Sequence, residues 1–195
     1  MKPLILFAAL LAMIPMTSCS VKNSSGSESA SVSSDSAEPC APPDQEMLFL
    51  ITDEVFSDSP YFTEATVLTT DGRMLDASDA IYDSEHERRK DWQTQLQQLV
   101  KDAEESPSVP QDDLYRMYRF FEHADALDGL EMTEYEEPVD DIGKWYLYLL
   151  LKQDDGEYRQ IQLCVSGESN KYLNDEAVIQ FVEWMDQQNY YVILK

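Results

Sequence analysis

Residues 144–152 read KWYLYLLLK, with an aromatic or aliphatic side chain at every position between Lys144 and Lys152. Successive side chains on a strand point to opposite faces, so a run that is apolar throughout predicts a central strand covered on both sides. Asp154-Asp155-Gly156 then turns the chain, and Tyr158 to Val165 returns with Ile161, Leu163 and Val165 in alternation. This is the strongest hairpin signal in the sequence.

Working outward, Ala65 to Thr70 (ATVLTT) and Arg73-Met74-Leu75 flank Asp71-Gly72, which predicts a second hairpin with a type I′ turn. Glu46 to Thr52 (EMLFLIT) suits a strand. Gly129 to Glu137 is a weaker, acidic candidate, and Tyr190 to Leu194 a candidate closing strand.

Ser84 with Glu87 matches a capping box. The helix expected after it runs to about Glu104 and carries Trp92, Leu96, Leu99 and Ala103 on one stripe. Pro107 breaks it. Pro110 opens a second helix to about Asp125, with Leu114, Met117, Tyr118, Phe121 and Ala124 as its apolar face. Asn174 is the expected cap of a third, whose buried face is Val178, Phe181, Val182 and Met185. The order strands, helices, strands, helix predicts an α+β fold: a mainly antiparallel sheet with about three helices packed on one face, in a single small domain.

Composition places that domain at residues 45–195, which hold twenty of the 21 aromatic residues. Residues 20–39 carry nine serines and almost no apolar side chain, and Pro39-Cys40-Ala41-Pro42-Pro43 follows. Residues 19–44 therefore read as a flexible tether, because such a stretch buries too little surface to offset the entropy of ordering it.

Leu4 to Ile14 (LILFAALLAMI) is an eleven-residue apolar run behind Lys2. That length suits the core of an export signal, whereas a spanning helix needs about 20 apolar residues. Met16-Thr17-Ser18-Cys19 follows. It resembles the lipobox of bacterial lipoproteins, with Met where Leu is usual and Ser where Gly or Ala is usual. The resemblance implies that residues 1–18 are removed and that Cys19 carries a diacylglyceryl thioether. Two acyl chains give stable anchoring where one gives marginal binding. The expected location is then the outer face of a bacterial cytoplasmic membrane or the cell envelope. The resemblance covers the signal and lipobox alone.

The chain carries a formal net charge of −24, with 38 Asp plus Glu against 14 Lys plus Arg. A field of that sign repels nucleic acid, so no nucleic-acid partner is expected. Beyond Cys19, the spacing of Cys40 and Cys164 leaves open whether they pair; Cys164, in a predicted strand, is expected to be buried and inert.

No catalytic, cofactor-binding or metal-ligand motif stands out. The Gly-x-Ser-x-Gly elbow of a serine hydrolase is absent. His86 lies between two glutamates, and His123 lies near a helix C-terminus, where an imidazolium suits the helix dipole. Glu122 and Asp125 flank His123, but adjacent residues on a helix point apart, so no metal site is expected there. Glu131, Glu134, Glu136, Glu137, Asp140 and Asp141 lack the order of a calcium loop and read as a solvated acidic edge. Tyr115, Tyr118, Tyr146, Tyr148, Tyr190 and Tyr191 are candidates for recognition, although tyrosines at these spacings usually belong to the core. The expectation is a lipid-anchored, non-catalytic domain that binds a protein or peptide partner. The alternative is a small envelope hydrolase acting on wall glycan or peptide through acidic residues.

Overall fold

The computed structural model describes residues 39–55, 62–136, 144–167 and 170–190. The order of elements is β1 (Met47–Val55), β2 (Phe62–Thr69), β3 (Met74–Asp76), α1 (Ser78–Ile81), α2 (Trp92–Asp102), α3 (Gln111–Glu122), a 3-10 turn (Ala124–Leu127), β4 (Met132–Glu136), β5 (Lys144–Lys152), β6 (Tyr158–Ser166), β7 (Asn170–Leu173) and α4 (Glu176–Gln187). Among the described residues these strands form one seven-stranded sheet, ordered β3-β2-β1-β5-β6-β7-β4. Every pairing is antiparallel. The run KWYLYLLLK is the middle strand, and the fold is α+β in one small domain.

Neighbouring residues of β5 feed two different cores. Leu147 and Leu149 pack with Phe49, Ile51, α3 and α4. Leu150 packs with Leu50, Val67, α1 and α2. Because adjacent strand residues face opposite ways, the two cores lie on the two sides of the sheet. The helices therefore do not share one face, as the order of elements suggested; they cover both. The reason lies in β1 and β5, which are apolar on both sides and would otherwise leave one side wet. Each buried Leu, Ile or Phe contributes roughly 1.5–3 kcal/mol through removal from water.

One core centres on an aromatic stack. Phe181 of α4 lies 3.9 Å from Phe120 and 5.2 Å from Phe49, centroid to centroid. Phe120 was not expected on the buried face of α3, yet it is buried, while Phe121 is only half-buried. Phe120 meets both Phe49 of the sheet and Phe181 of α4, so the apolar face of α3 is wider than one stripe.

Three local expectations are corrected. The helix predicted from Ser84 begins only at Trp92. Instead the Asp83 carboxylate accepts hydrogen bonds from the Glu85 and Glu87 N–H groups at 2.9 and 3.0 Å, and Arg89 Nε donates to the Asp79 and Tyr82 carbonyls. This side-chain-to-backbone bonding competes with helix and leaves His86 at φ 61°. The cap of α4 is Asp175 rather than Asn174, its Oδ1 accepting from the Val178 N–H at 3.1 Å. In the 69–73 turn only Gly72 has positive φ, so the loop is a type I turn closed by a left-handed glycine, not a type I′ turn. Strand β7 was not anticipated. The candidate strand at Tyr190–Leu194 falls, past Tyr190, outside the described residues, as do residues 1–38 with Cys19. Among the described residues no helix is long and apolar enough to cross a membrane.

Candidate functional site

Two hairpin turns of the same kind stand side by side. In both, a residue N–H bonds across the loop, Thr69 to Arg73 O and Gln153 to Glu157 O, and a glycine closes it at φ 84° or 85°. Thr70-Asp71-Gly72 joins β2 to β3, and Asp154-Asp155-Gly156 joins β5 to β6. The second half of α2 is tied to both. Gln97 Nε2 donates to the Gly156 carbonyl at 3.0 Å, and Arg73 Nη1 donates to the Val100 and Ala103 carbonyls at 3.1 Å each. The guanidinium thus satisfies orphan carbonyls at the helix end, where positive charge is favoured.

Between these elements lies a cleft of about 750 Å³, floored by Met47, Val100, Ala103 and Pro107. Its rim carries Glu46, Asp71, Arg73, Lys101, Glu104, Glu105 and Lys152. Lys152 Nζ lies 3.0 Å from Glu46 Oε2, and Arg73 Nε lies 2.9 Å from Asp71 Oδ2. Hydrogen bonds from Tyr158 and Lys152 hold the Glu46 carboxyl below the usual carboxylate range. For Asp71 burial pushes upward, but hydrogen bonds from Arg73 and Thr69 outweigh it and the net direction is again downward. The Tyr158 hydroxyl is pushed up by burial and by the Glu46 carboxylate it bonds at 2.8 Å. Two carboxylates of the cleft are thus held ionised beside fixed cations, over an apolar floor. Such an arrangement can pair with charged groups while its floor covers apolar surface.

None of these rim residues stood out in the sequence. The visible signal was the repeat of Asp-Gly at two hairpin tips, which marked the turns but not their adjacency. The residues that sequence reasoning did single out lie elsewhere. His86 Nδ1 is 3.2 Å from Thr63 Oγ1. His123 ends α3, and its Nε2 sits 3.2 Å from Asp175 Oδ2. Glu131 and Glu134 are exposed, while Glu137, Asp140 and Asp141 lie outside the described residues. Among the described residues no three His, Cys, Asp or Glu side chains gather as a metal set.

Cys40 and Cys164 are both free thiols. Cys164 is buried, which pushes its thiol up. Cys40 packs against the α3–α4 side of the core, and its Sγ donates to Glu122 Oε1 at 3.5 Å. Tyr118 is buried with its hydroxyl donating to the Thr70 carbonyl, and the Tyr190 hydroxyl donates to Asp113. Tyr146 and Tyr148 stack at 6.0 Å on one side of β5.

Compared with known proteins, the chain matches no family model, no curated protein and no solved structure.

Proposed function

We propose that this chain is a lipid-anchored bacterial lipoprotein, held through Cys19 at the outer face of the cytoplasmic membrane or in the cell envelope. Its domain is a non-catalytic binding module for a protein or peptide partner, and nucleic acid is not that partner. The observation that carries the binding reading is the cleft beside α2, with two carboxylates kept ionised over an apolar floor. A hydrolase working through acidic residues needs one carboxyl held protonated to serve as acid. Glu46 and Asp71 are shifted the opposite way.

Two measurements test the two halves. In a bacterial host fed an alkyne-tagged palmitate analogue, the wild-type chain takes up label and Cys19→Ala does not; equal labelling of the two removes the anchor. On an array of random hexapeptides, the mature chain selects a consistent subset. Lys101→Glu, a charge reversal on the cleft rim, weakens that binding at least tenfold. Selected peptides that bind both forms alike place recognition outside the cleft.

A further inference from the structure

The lane occupied by β7 is only half filled. β7 pairs with β6 at Cys164 and Val165 alone, while its other side pairs with β4 from Met132 onward. Below Leu173 the chain leaves the sheet for α4. The first half of β6 and the segment leading into β4 therefore face each other across the width of one missing strand. Two strand spacings separate such lanes, about 9.5 Å. A groove of about 270 Å³ lies there, reaching from Gln160 to Gln162 along β6 and from Leu127 to Met132 opposite.

The main chain of β6 is aimed into this lane. Tyr158 and Lys152 form the first pair beyond the turn that Gln153 closes by its bond to Glu157. Inward and outward bonding alternate from there, so Tyr158, Gln160 and Gln162 point their N–H and C=O groups away from β5. At Tyr158 the protein itself fills the gap: Gln93 Oε1 accepts from its N–H at 2.6 Å and Gln93 Nε2 donates to its carbonyl at 3.2 Å. A side-chain carboxamide there does the work of a neighbouring peptide group. Among the described residues no such surrogate stands at Gln160. Its side chain also has an orphan: Oε1 accepts from Arg88 at 3.0 Å, but the buried Nε2 has no partner. Across the groove Leu130 is 38% exposed, the large apolar residue most open to solvent among those described.

We propose that this groove takes an extended peptide segment of a partner protein as an added strand in the β7 lane. The segment alternates apolar and basic side chains. The apolar ones meet Leu130 and Ile161, and a basic one takes Asp128 from Arg159, which reaches it across the groove at 2.6 Å. Three residues opposite Gln160–Gln162 span about 10 Å of strand. The inference rests on reading the domain as a binding module, but not on the cleft.

Amide hydrogen exchange on the full mature chain, residues 19–195 with Cys19→Ala, tests it with the blocked pentapeptide Lys-Leu-Lys-Leu-Lys as probe. The peptide slows exchange at Gln160 at least tenfold, and the same peptide methylated on every backbone nitrogen slows it less than twofold. Leu130→Lys removes the protection. No slowing at Gln160 overturns the proposal, and so does equal protection by the methylated peptide, which would reduce the effect to charge attraction. Protection already present without peptide also overturns it: release on deleting residues 191–195 assigns the lane to the chain's own tail, and dependence on protein concentration assigns it to a second copy. Binding in the cleft alone leaves Gln160 exchanging at its free rate, so failure here is distinct from failure of the cleft reading.

Discussion

Replacing Arg73 by Met keeps the aliphatic stem and removes the guanidinium, which makes it a direct probe of how the cleft is held together. The side chain is 15% exposed, and four hydrogen bonds go with it. The two to Asp71 reach a carboxylate that is 56% exposed, so that pair contributes about 0.5–1 kcal/mol after solvent screening. The two to the Val100 and Ala103 carbonyls are charge-assisted; such bonds contribute about 1.5–3 kcal/mol each when dry. These carbonyls face the cleft, water replaces the lost donor, and about half of that survives. The sum is a loss of about 2–4 kcal/mol, a large share of the roughly 5–15 kcal/mol that holds a domain folded. Urea unfolding of the Cys19→Ala chain at pH 7, followed by tryptophan fluorescence, reads the loss directly. With a slope of about 2 kcal/mol/M the midpoint falls by about 1–2 M. Arg73→Lys restores a charge but not the fork, and recovers less than half of it. A midpoint for Arg73→Met within 0.2 M of the parent refutes the reasoning, because the helix end would then not depend on this residue.

Further outcomes follow from the same structure. Gly72→Ala strains a backbone at φ 84° and sets its Cβ 2.9 Å from Leu114 Cδ1, whereas Gly156→Ala at φ 85° meets open space. Both lose the roughly 1–2 kcal/mol of a left-handed residue, and Gly72→Ala loses at least about 1 kcal/mol more for overpacking; equal melting temperatures would contradict this. Asp175→Ala removes the cap of α4 and the partner of His123, costing about 1–2 kcal/mol at pH 7. Burial pushes the Asp175 carboxyl up, but hydrogen bonds from His123 and the Val178 N–H outweigh it, so its folded value is depressed. Its contribution is therefore complete above the ordinary carboxylate value near 3.9 and is lost as pH falls through the lower folded value, so parent and variant stabilities converge in acid. Phe181→Ala opens the stack with Phe49 and Phe120 and costs about 3–5 kcal/mol by thermal or urea unfolding.

The central hairpin, the apolar faces of α2 and α4 and the antiparallel sheet were legible because each rests on local periodicity. What stayed hidden depends on residues far apart in the chain. The Ser84 capping box lost to an Asp83 loop because Arg89 anchors that loop to carbonyls of Asp79 and Tyr82, a contact no spacing rule contains. Strand β7 (NKYL) is too short and too polar to announce itself, and it exists because β6 and β4 stand on either side of it. The cleft was hidden for the same reason. Arg73, Gln97 and Lys152 come from three elements, and only the juxtaposition of two hairpin tips with one helix end gathers them. The two-sided arrangement of helices, by contrast, was implicit in KWYLYLLLK, whose uninterrupted apolar run outranked the simpler layering suggested by element order.

Strands β1 and β5, at the centre of the sheet, send fully buried side chains to both helical layers: Phe49, Ile51, Leu147 and Leu149 to one, Leu50 and Leu150 to the other. They act as a common keel. Damage to α2 or to α4 loosens one hull plate, and the opposite layer keeps its footing. Damage to Leu149 or Leu150 is transmitted to whichever layer that residue serves and, through the shared backbone, to the other. Amides of these two strands should be the last in the molecule to exchange with solvent, and stability there sets the ceiling for everything mounted on either side.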